Sequence, residues 1–238
     1  MRSFRFRPIP FAATLALVVL GVALGNWQGR RAAEKLAVAH KLAAMSAMAP
    51  LELAPSADGA SLAYRRVKLT GQFVAGWPVA LNNRPLDGRA GVVLVMPFRL
   101  EGSALHVLVA RGWLPRNQAD VNQLPPFATP PGTLTIEGVV KPTLGHLMQL
   151  GEPAPLKPGA IVQNIDAGAF AAASGLQVAP YFVEQTGDSG DGLARNWPAP
   201  ALGVEKHQGY QFQWYALAVM AALFFIVTGF RRGTDPDQ

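Results

Sequence analysis

Residues 9–27 read IPFAATLALVVLGVALGNW and residues 210–230 read YQFQWYALAVMAALFFIVTGF, and neither stretch contains a charged residue. A helix rises about 1.5 Å per residue, so these two runs would reach roughly 28 and 31 Å. Both lengths match the hydrocarbon core of a bilayer, which is about 30 Å thick. The sequence therefore predicts a membrane protein with transmembrane helices at residues 9–27 and 210–230, separated by a long segment that folds in water.

Three arginines, Arg2, Arg5 and Arg7, precede the first apolar stretch, as they would in a signal peptide. The stretch ends in Asn-Trp-Gln rather than in a small-residue cleavage site, and it is longer than the apolar core of a typical signal peptide. We therefore expect this segment to be retained as a membrane anchor.

The basic residues at the two ends of the chain predict the orientation. Residues 1–8 and 231–238 carry five arginines, and Lys or Arg beside a span favours the side from which the chain is inserted. Four basic residues between positions 30 and 41 argue the other way, but they open a loop too long for the rule to be strong. Both end segments are therefore expected in the cytoplasm. The intervening domain would be periplasmic at a bacterial inner membrane, or in the intermembrane space at a mitochondrial inner membrane.

The net charge of +6 does not indicate nucleic-acid binding. Residues 42–209 contain twelve Lys or Arg and twelve Asp or Glu, so the excess lies entirely beside the predicted spans. Charge placed there suits contact with the head groups of the lipid bilayer. Cysteine is absent, which excludes disulfides, thiolate metal sites and thiol redox chemistry.

The middle of the chain predicts a helical stalk followed by a mainly β domain. Residues 28–49 continue the first helix, because a Pro- and Gly-free run rich in Ala, Leu and Lys extends almost to Pro50. Within residues 50–209, short apolar runs bounded by Gly, Pro and Asn are typical of strands. The predicted strands are residues 66–73, 79–82, 91–100, 105–113, 134–141, 160–164 and 181–184. A short helix is expected at 166–174 with Asp166 as its N-cap, and the strands would form one domain of the small-barrel kind.

Motifs for catalysis are mostly missing. The sequence has no nucleophile elbow, P-loop, His-Glu-x-x-His or dinucleotide fingerprint. Residues 187–190, Gly-Asp-Ser-Gly, resemble the segment around the catalytic serine of trypsin-like proteases. A hydrolase that uses Ser189 is thus one hypothesis, although a polar loop explains the same residues and no partner histidine stands in a suitable context.

His207 precedes Tyr210 by three residues and Trp214 by seven, so one helix would place all three on the same face at the entrance to the second span. An imidazole at an apolar boundary can ligate haem iron, with Tyr210 and Trp214 beside the ring. The alternative is an ordinary interfacial belt of aromatic residues with an incidental histidine. At the matching end of the first span, Trp27 fits such a belt, but the amide of Gln28 would need a partner on the other helix, because lipid offers none.

Four stretches together resemble one family. They are residues 24–28 with Arg31 and Lys35; residues 64–73, YRRVKLTGQF; residues 91–98 followed by 107–116, VLVARGWLPR; and His207-x-x-Tyr210 with Trp214-Tyr215. In this order and spacing they are similar to the surfeit locus protein 1 family, whose members assist the assembly of haem-copper cytochrome c oxidases. The resemblance covers nearly the whole chain. It implies an α+β membrane protein with two terminal transmembrane helices flanking one mainly β extramembrane domain.

The resemblance also implies a function. Family members help to insert haem a into the large oxidase subunit, so the expected protein is a non-enzymatic assembly factor that binds haem a transiently. Its expected partners are that subunit and the enzyme of haem a synthesis. The histidine at the start of the family's second span matches His207, which is the expected ligand of haem iron. Trp27, Tyr210 and Trp214 would contact the ring and Gln28 would orient the ligand.

Two features leave alternatives open. Glu34, Ala110 and Lys206 depart from the residues common in the family, which leaves open whether the protein is a haem a specialist or a divergent member that serves another terminal oxidase. The Arg111-Gly112-Trp113 segment matches a family motif, yet Gly112 could simply allow a tight turn while Trp113 fills the core. The alternative function is a structural chaperone that stabilises an oxidase intermediate through its β domain without binding haem. Under that hypothesis His207 is dispensable.

Overall fold

The computed structural model describes residues 3–4, 6–54, 61–149, 151–198 and 202–231. The chain divides into two units, one made from its two ends and the other from Leu42–Pro198. In chain order the elements are β1 (Ser3–Phe4), α1 (Pro8–Ala47), β2 (Leu51–Glu52), β3 (Arg66–Phe73), β4 (Val79–Leu81), β5 (Gly91–Leu100), β6 (Leu105–Pro115), β7 (Leu134–Lys141), β8 (Ile161–Val162), α2 (Ala167–Ser174), β9 (Gln177–Thr186), α3 (Val204–Gly229) and β10 (Phe230–Arg231).

The long helices α1 and α3 contain the two predicted spans. In each helix, only 11% of the most apolar segment is buried within the protein. A core helix of a soluble protein would bury such a surface, so these exposed apolar helices, 40 and 26 residues long, are of the kind that crosses a membrane. α1 runs without interruption through the residues predicted as a stalk. The predicted cytoplasmic tail, residues 231–238, lies outside the described residues apart from Arg231.

The second unit contains a closed β-barrel. β3 pairs with β7, β7 with β9, β9 with β6, β6 with β5, and β5 returns to β3 through Gly71–Leu100, Gln72–Arg99 and Phe73–Phe98. The pairing of β6 with β9 is parallel and the other four are antiparallel. Closure leaves these five strands without a free edge along the ring. The expected small barrel is confirmed.

Burial follows the strand pattern. β3 alternates between buried and half-buried residues, as expected for a strand with one face on the core. β5 is buried on both faces, because Val92, Leu94 and Met96 belong to the cluster inside the barrel while Val93 and Val95 belong to a second cluster outside it. The short helix α2 covers this second cluster with Phe170. Its N-cap is Asp166, as predicted, whose carboxylate accepts a hydrogen bond from the Ala169 amide.

Several local predictions need correction. The strands predicted at 79–82, 105–113 and 160–164 are Val79–Leu81, Leu105–Pro115 and Ile161–Val162 in the structure. β9 begins at Gln177, not at residue 181, and therefore contains Pro180. Pro180 lies at an irregularity, where the pairing of β9 with β6 changes register between His106 and Leu108. A proline is tolerated in such an irregularity, where no ladder bond requires its missing N–H. Gly112 does not form a turn. It lies inside β6, where a Cβ would meet the Leu193 Cβ at 2.6 Å, so glycine serves a close approach of residues 193–194.

Candidate functional site

Helices α1 and α3 pack against each other along a row of small residues. A Cβ on Gly21 would lie 2.9 Å from the Trp214 carbonyl oxygen, and one on Gly25 would collide with the ring of Tyr215. A Cβ on Gly29 would collide with Gln211 in the same way. Glycines spaced by four residues let two helix backbones approach closely in a membrane. The helices therefore form an antiparallel pair with a defined register.

Two side-chain hydrogen bonds join the helices at one end of this pair. The Nδ1 atom of His207 lies 2.6 Å from Oε1 of Gln28. The hydroxyl of Tyr215 donates to Oδ1 of Asn26 over 2.7 Å. In an apolar surrounding such bonds satisfy polar groups that lipid would leave without partners. The structure thus brings together His207 and Gln28, which are separated by 179 residues in the sequence.

The bond to Gln28 determines which imidazole nitrogen is free. An amide oxygen only accepts hydrogen bonds, so Nδ1 of His207 carries a proton, and in the neutral imidazole the lone pair is then on Nε2. A histidine that ligates a metal through one nitrogen commonly donates from the other in this way, which fixes the ring and raises its basicity. His207 is half-buried at the boundary of an apolar helix pair. These features fit a single axial ligand to haem iron.

The aromatic candidates are placed differently from one another. Trp214 is half-buried and contributes its backbone to the contact with Gly21. Tyr210 is 54% exposed, one turn from Trp214 on the same side of α3. Trp27 is 47% exposed and lies about 200° around α1 from Gly25, at 100° per residue. The structure therefore brings Tyr210 and Trp214 to the His207 side of α3, whereas Trp27 lies off the row of glycines and close to the face of Leu20, seven residues before it.

Within the described residues, no group of three or more His, Asp or Glu side chains is arranged to hold a metal ion. A haem iron differs in this respect, since the porphyrin supplies four of its ligands and one imidazole can complete an axial position.

Arg111 is a buried charge inside the barrel domain. Its side chain is 0% exposed and lies with its guanidinium carbon 4.5 Å from the ring centroid of Phe73. It donates to the Ala128 carbonyl over 2.9 Å and to the carboxylate of Asp191 over 3.0 Å. Burial lowers the pKa of Arg111, and the neighbouring Asp191 opposes that change. Arg111 thus supports the fold and does not present a surface.

Asp191 explains the polar segment that resembled a protease motif. It binds Arg111 and also Arg195, the latter over 2.6 Å. Burial alone would raise the pKa of Asp191. Its pKa is nevertheless below the ordinary value of 3.8, because the carboxylate is stabilised by the hydrogen bond and charge of Arg195, by the Leu193 amide and by the charge of Arg111. Ser189 accepts a hydrogen bond from the amide of Gln185. The hydroxyl is therefore paired with an amide, which cannot serve as the general base that activates a serine.

Trp113 fills the second apolar cluster, as the sequence suggested. It is 7% exposed, and its indole N–H donates to the Arg84 carbonyl over 2.6 Å. A side chain on Gly91 would collide with this indole. All three residues of the Arg-Gly-Trp segment accordingly lie in the interior of the domain. We expect substitutions there to impair function by destabilising the fold.

Some signals were present in the sequence and missed. The spacing Gly21-x3-Gly25-x3-Gly29 is a repeated small-residue motif that predicts a helix contact in a membrane. By contrast, the bond between Asn26 and Tyr215 and the pairing of Arg111 with Asp191 had no local signal. Each joins residues at least 80 positions apart.

The fold and the paired helix ends define a class: a membrane protein with two terminal helices and a β-barrel domain between them in the chain. Comparison with known proteins then identifies the family. The profile of the SURF1 family matches residues 15–219. The chain belongs to the SURF1 family.

Individual relatives agree with that assignment. A SURF1-like protein of Monosiga brevicollis is 30% identical over 140 residues, covering 54% of this chain and 53% of the relative. One of Rickettsia felis is 35% identical over 105 residues, covering 43% and 45%. One of Caenorhabditis briggsae is 26% identical over 164 residues, covering 59% and 51%. The chain spans about half the length of the curated relatives it matches.

Proposed function

We propose that this protein is a non-enzymatic assembly factor for a haem-copper cytochrome c oxidase, and that it holds haem a transiently before the haem enters the large catalytic subunit. Membership of the SURF1 family supports the assembly role. The hydrogen bond between Gln28 and His207 is the observation that carries the haem-binding role.

The chemistry of His207 suits a carrier. With Nδ1 bonded to Gln28, the lone pair of Nε2 is available to iron, and the ring has one preferred orientation. His207 would be the one side chain of this chain that holds the iron, so an acceptor would have a single protein ligand to replace, and binding would be reversible.

The neighbouring residues have supporting roles in this proposal. Tyr210 and Trp214 lie within two helical turns of His207 and offer aromatic faces to a ring bound there. Trp27 is next to Gln28 on α1 and is the third proposed ring contact.

The cellular setting completes the proposal. The helices lie in a bacterial inner membrane, or in the mitochondrial inner membrane of a eukaryote, with the β domain on the periplasmic or intermembrane-space side. The enzyme that synthesises haem a is the proposed donor and the large oxidase subunit the acceptor. Both would meet the carrier within the bilayer.

The test is to purify the full chain after co-expression with haem a synthesis. Wild-type protein should carry a haem a absorption band, and His207→Ala should lose most of it. Gln208→Ala, at the exposed neighbouring position, should keep it and so controls for general damage to α3.

Two results would contradict the proposal. One is a haem band of equal intensity in wild type and His207→Ala, which would remove His207 as the ligand. The other is normal oxidase assembly in cells that contain only the His207→Ala protein, which would favour the structural chaperone that acts without haem.

A further inference from the structure

The helix pair leaves an apolar groove along one side. Its volume is about 590 Å³. Apolar and aromatic side chains from both helices line it, among them Leu17, Leu20, Trp214, Leu217, Ala221 and Phe224.

The groove continues toward His207 along both helices. On α3, the residues His207, Tyr210, Trp214, Leu217, Ala221 and Phe224 follow one another at alternating spacings of three and four, so they form one stripe. On α1, Leu17, Leu24, Gln28 and Lys35 form a matching stripe, spaced by seven, four and seven. The ligand candidate therefore lies at one end of the same surface that forms the groove.

A cation lies beyond His207 at that end. The Nζ atom of Lys35 is 3.7 Å from the position that a Cβ on Gly203 would occupy. Gly203 precedes His207 by four residues, which is about one helical turn. Lys35 forms no ion pair within the described part of the chain, whereas its neighbour Arg31 is bound to Glu34. A positive charge is thus available one turn beyond the imidazole.

The order along the surface is an apolar groove, then a nitrogen ligand, then a free cation. The acyl chains and phosphate of a phospholipid would match the groove and the cation, but a phospholipid has no metal that the imidazole could bind. Haem a has an isoprenoid tail, an iron and two carboxylates, arranged in that order across the molecule.

We infer that the groove holds the isoprenoid tail of haem a, with the iron at His207 and the propionate carboxylates at Lys35. This inference rests on the proposed function and adds to it the orientation of the cargo and the basis of its selection. The tail extends between Leu17 and Phe224, and haems that lack a tail bind less tightly.

Haem o and haem b provide the probes, because they differ only in the tail. Purified full-length protein in detergent is titrated with each haem and followed by absorbance. Wild type should bind haem o about tenfold more tightly than haem b, equivalent to about 1.4 kcal/mol. Haem a should behave like haem o. Detergent takes up each haem to the same extent in every sample. A difference between variants in the ratio of haem o affinity to haem b affinity therefore reports on the groove.

Ala221→Phe fills the groove and should reduce the ratio of affinities to about one, with haem b binding retained. Ala216→Phe makes the same change on the same helix outside the groove lining and should keep the wild-type ratio. Retained haem b binding in Ala221→Phe shows that the helix pair and His207 are intact.

The outcomes separate the two claims. If Ala221→Phe keeps the wild-type ratio, the groove does not hold the tail and is covered by lipid, while the haem-carrier function stands. If no haem gives a band that depends on His207, the proposed function fails and the inference fails with it.

Lys35→Ala tests the other end of the ligand. It should weaken haem o and haem b by the same factor, about five- to tenfold, because both carry the propionates. Lys41→Ala, an exposed position on the same helix, should leave both affinities unchanged. Equal affinities in wild type and Lys35→Ala would overturn the placement of the carboxylates.

Discussion

Asp191 forms ion pairs with two buried arginines of the barrel domain, Arg111 and Arg195. Its side chain is 4% exposed, and those of Arg111 and Arg195 are 0% and 5% exposed. Removing one partner of a buried ion pair leaves an uncompensated charge, at a typical cost of about 3–5 kcal/mol.

We therefore expect Asp191→Asn to destabilise the protein by about 3–5 kcal/mol, measured by denaturant unfolding of the full chain in detergent. Asp188→Asn changes an exposed carboxylate three residues away and should shift stability by less than about 0.5 kcal/mol. Equal stability of the Asp191→Asn protein and wild type would show that the buried pair does not hold the fold.

The same pair predicts a dependence on pH. The pKa of Asp191 is lower in the folded protein than its ordinary value of 3.8, so the unfolded chain binds the proton more readily. The stabilisation is fully present above that value and is lost as the pH falls through the folded pKa. The stability difference between wild type and Asp191→Asn should thus shrink below about pH 4. A difference that stays constant down to the acid limit of folding would contradict this assignment.

Gln28 positions His207 and need not touch the haem. Gln28→Leu removes the acceptor for the Nδ1 proton, so haem affinity should fall by about 10- to 100-fold, as for other partners of metal-bound histidines. Gln28→Glu keeps an acceptor and should restore most of the affinity. The position of the haem band should also shift in Gln28→Leu, because the imidazole loses basicity. Equal losses of haem affinity in Gln28→Leu and Gln28→Glu would show that the hydrogen bond to His207 does not contribute to haem binding.

At the scale of elements, the helix pair is set by its glycines. A Cβ on Gly21 would lie 3.0 Å from the Cβ of Ala218 and 2.9 Å from the Trp214 carbonyl oxygen. Cysteines at both positions therefore require the helices to separate by about half an ångström to reach the roughly 3.5–4.5 Å between the Cβ atoms of a disulfide. The chain has no cysteine of its own. Gly21→Cys combined with Ala218→Cys should therefore form an intramolecular disulfide under mild oxidation, seen as a mobility shift that reductant reverses.

The control for this cross-link is Val19→Cys with Ala218→Cys, since Val19 is 59% exposed and lies off the contact face. It should remain reduced under the same conditions. Cross-linking of the control pair but not of the Gly21 pair would mean that the helices pack in another register.

Most elements could be predicted from the sequence because their signals are local. β3, β5 and β7 begin and end at the predicted residues, and the Asp166 cap was read directly from its residue type. The start of β9 was missed because Pro180 is a local signal against a strand, and only pairing with β6 offsets it. Closure of the barrel also depends on a distant contact: Gly71 is needed where β3 meets β5, since a side chain there would collide with the Arg99 carbonyl.

The candidate site was partly predictable for the same reason. A polar amide at the edge of an apolar span needs a partner, which pointed to Gln28 facing the second helix. Its pairing with His207 agrees with that expectation. The groove and the free Lys35 could not be read in advance, because they depend on the register of α1 against α3.

At the scale of the whole molecule, the excess of basic residues and the barrel domain lie in different parts of the chain. The neutral residues 42–209 contain the barrel, where some charged groups pair with one another, as in Lys141 with Glu184. The basic excess lies beside the helices, where lipid head groups and the carboxylates of a cargo would meet it. The proposed function accordingly belongs to the helix pair, and the barrel is stabilised by its own core.

The most direct test of this account is the absorption spectrum of the full chain with His207→Ala, loaded with haem a and measured with and without added imidazole. We expect a weak, shifted band without imidazole and a return toward the wild-type band when imidazole fills the space left by the side chain. A spectrum that matches wild type before any imidazole is added would contradict it.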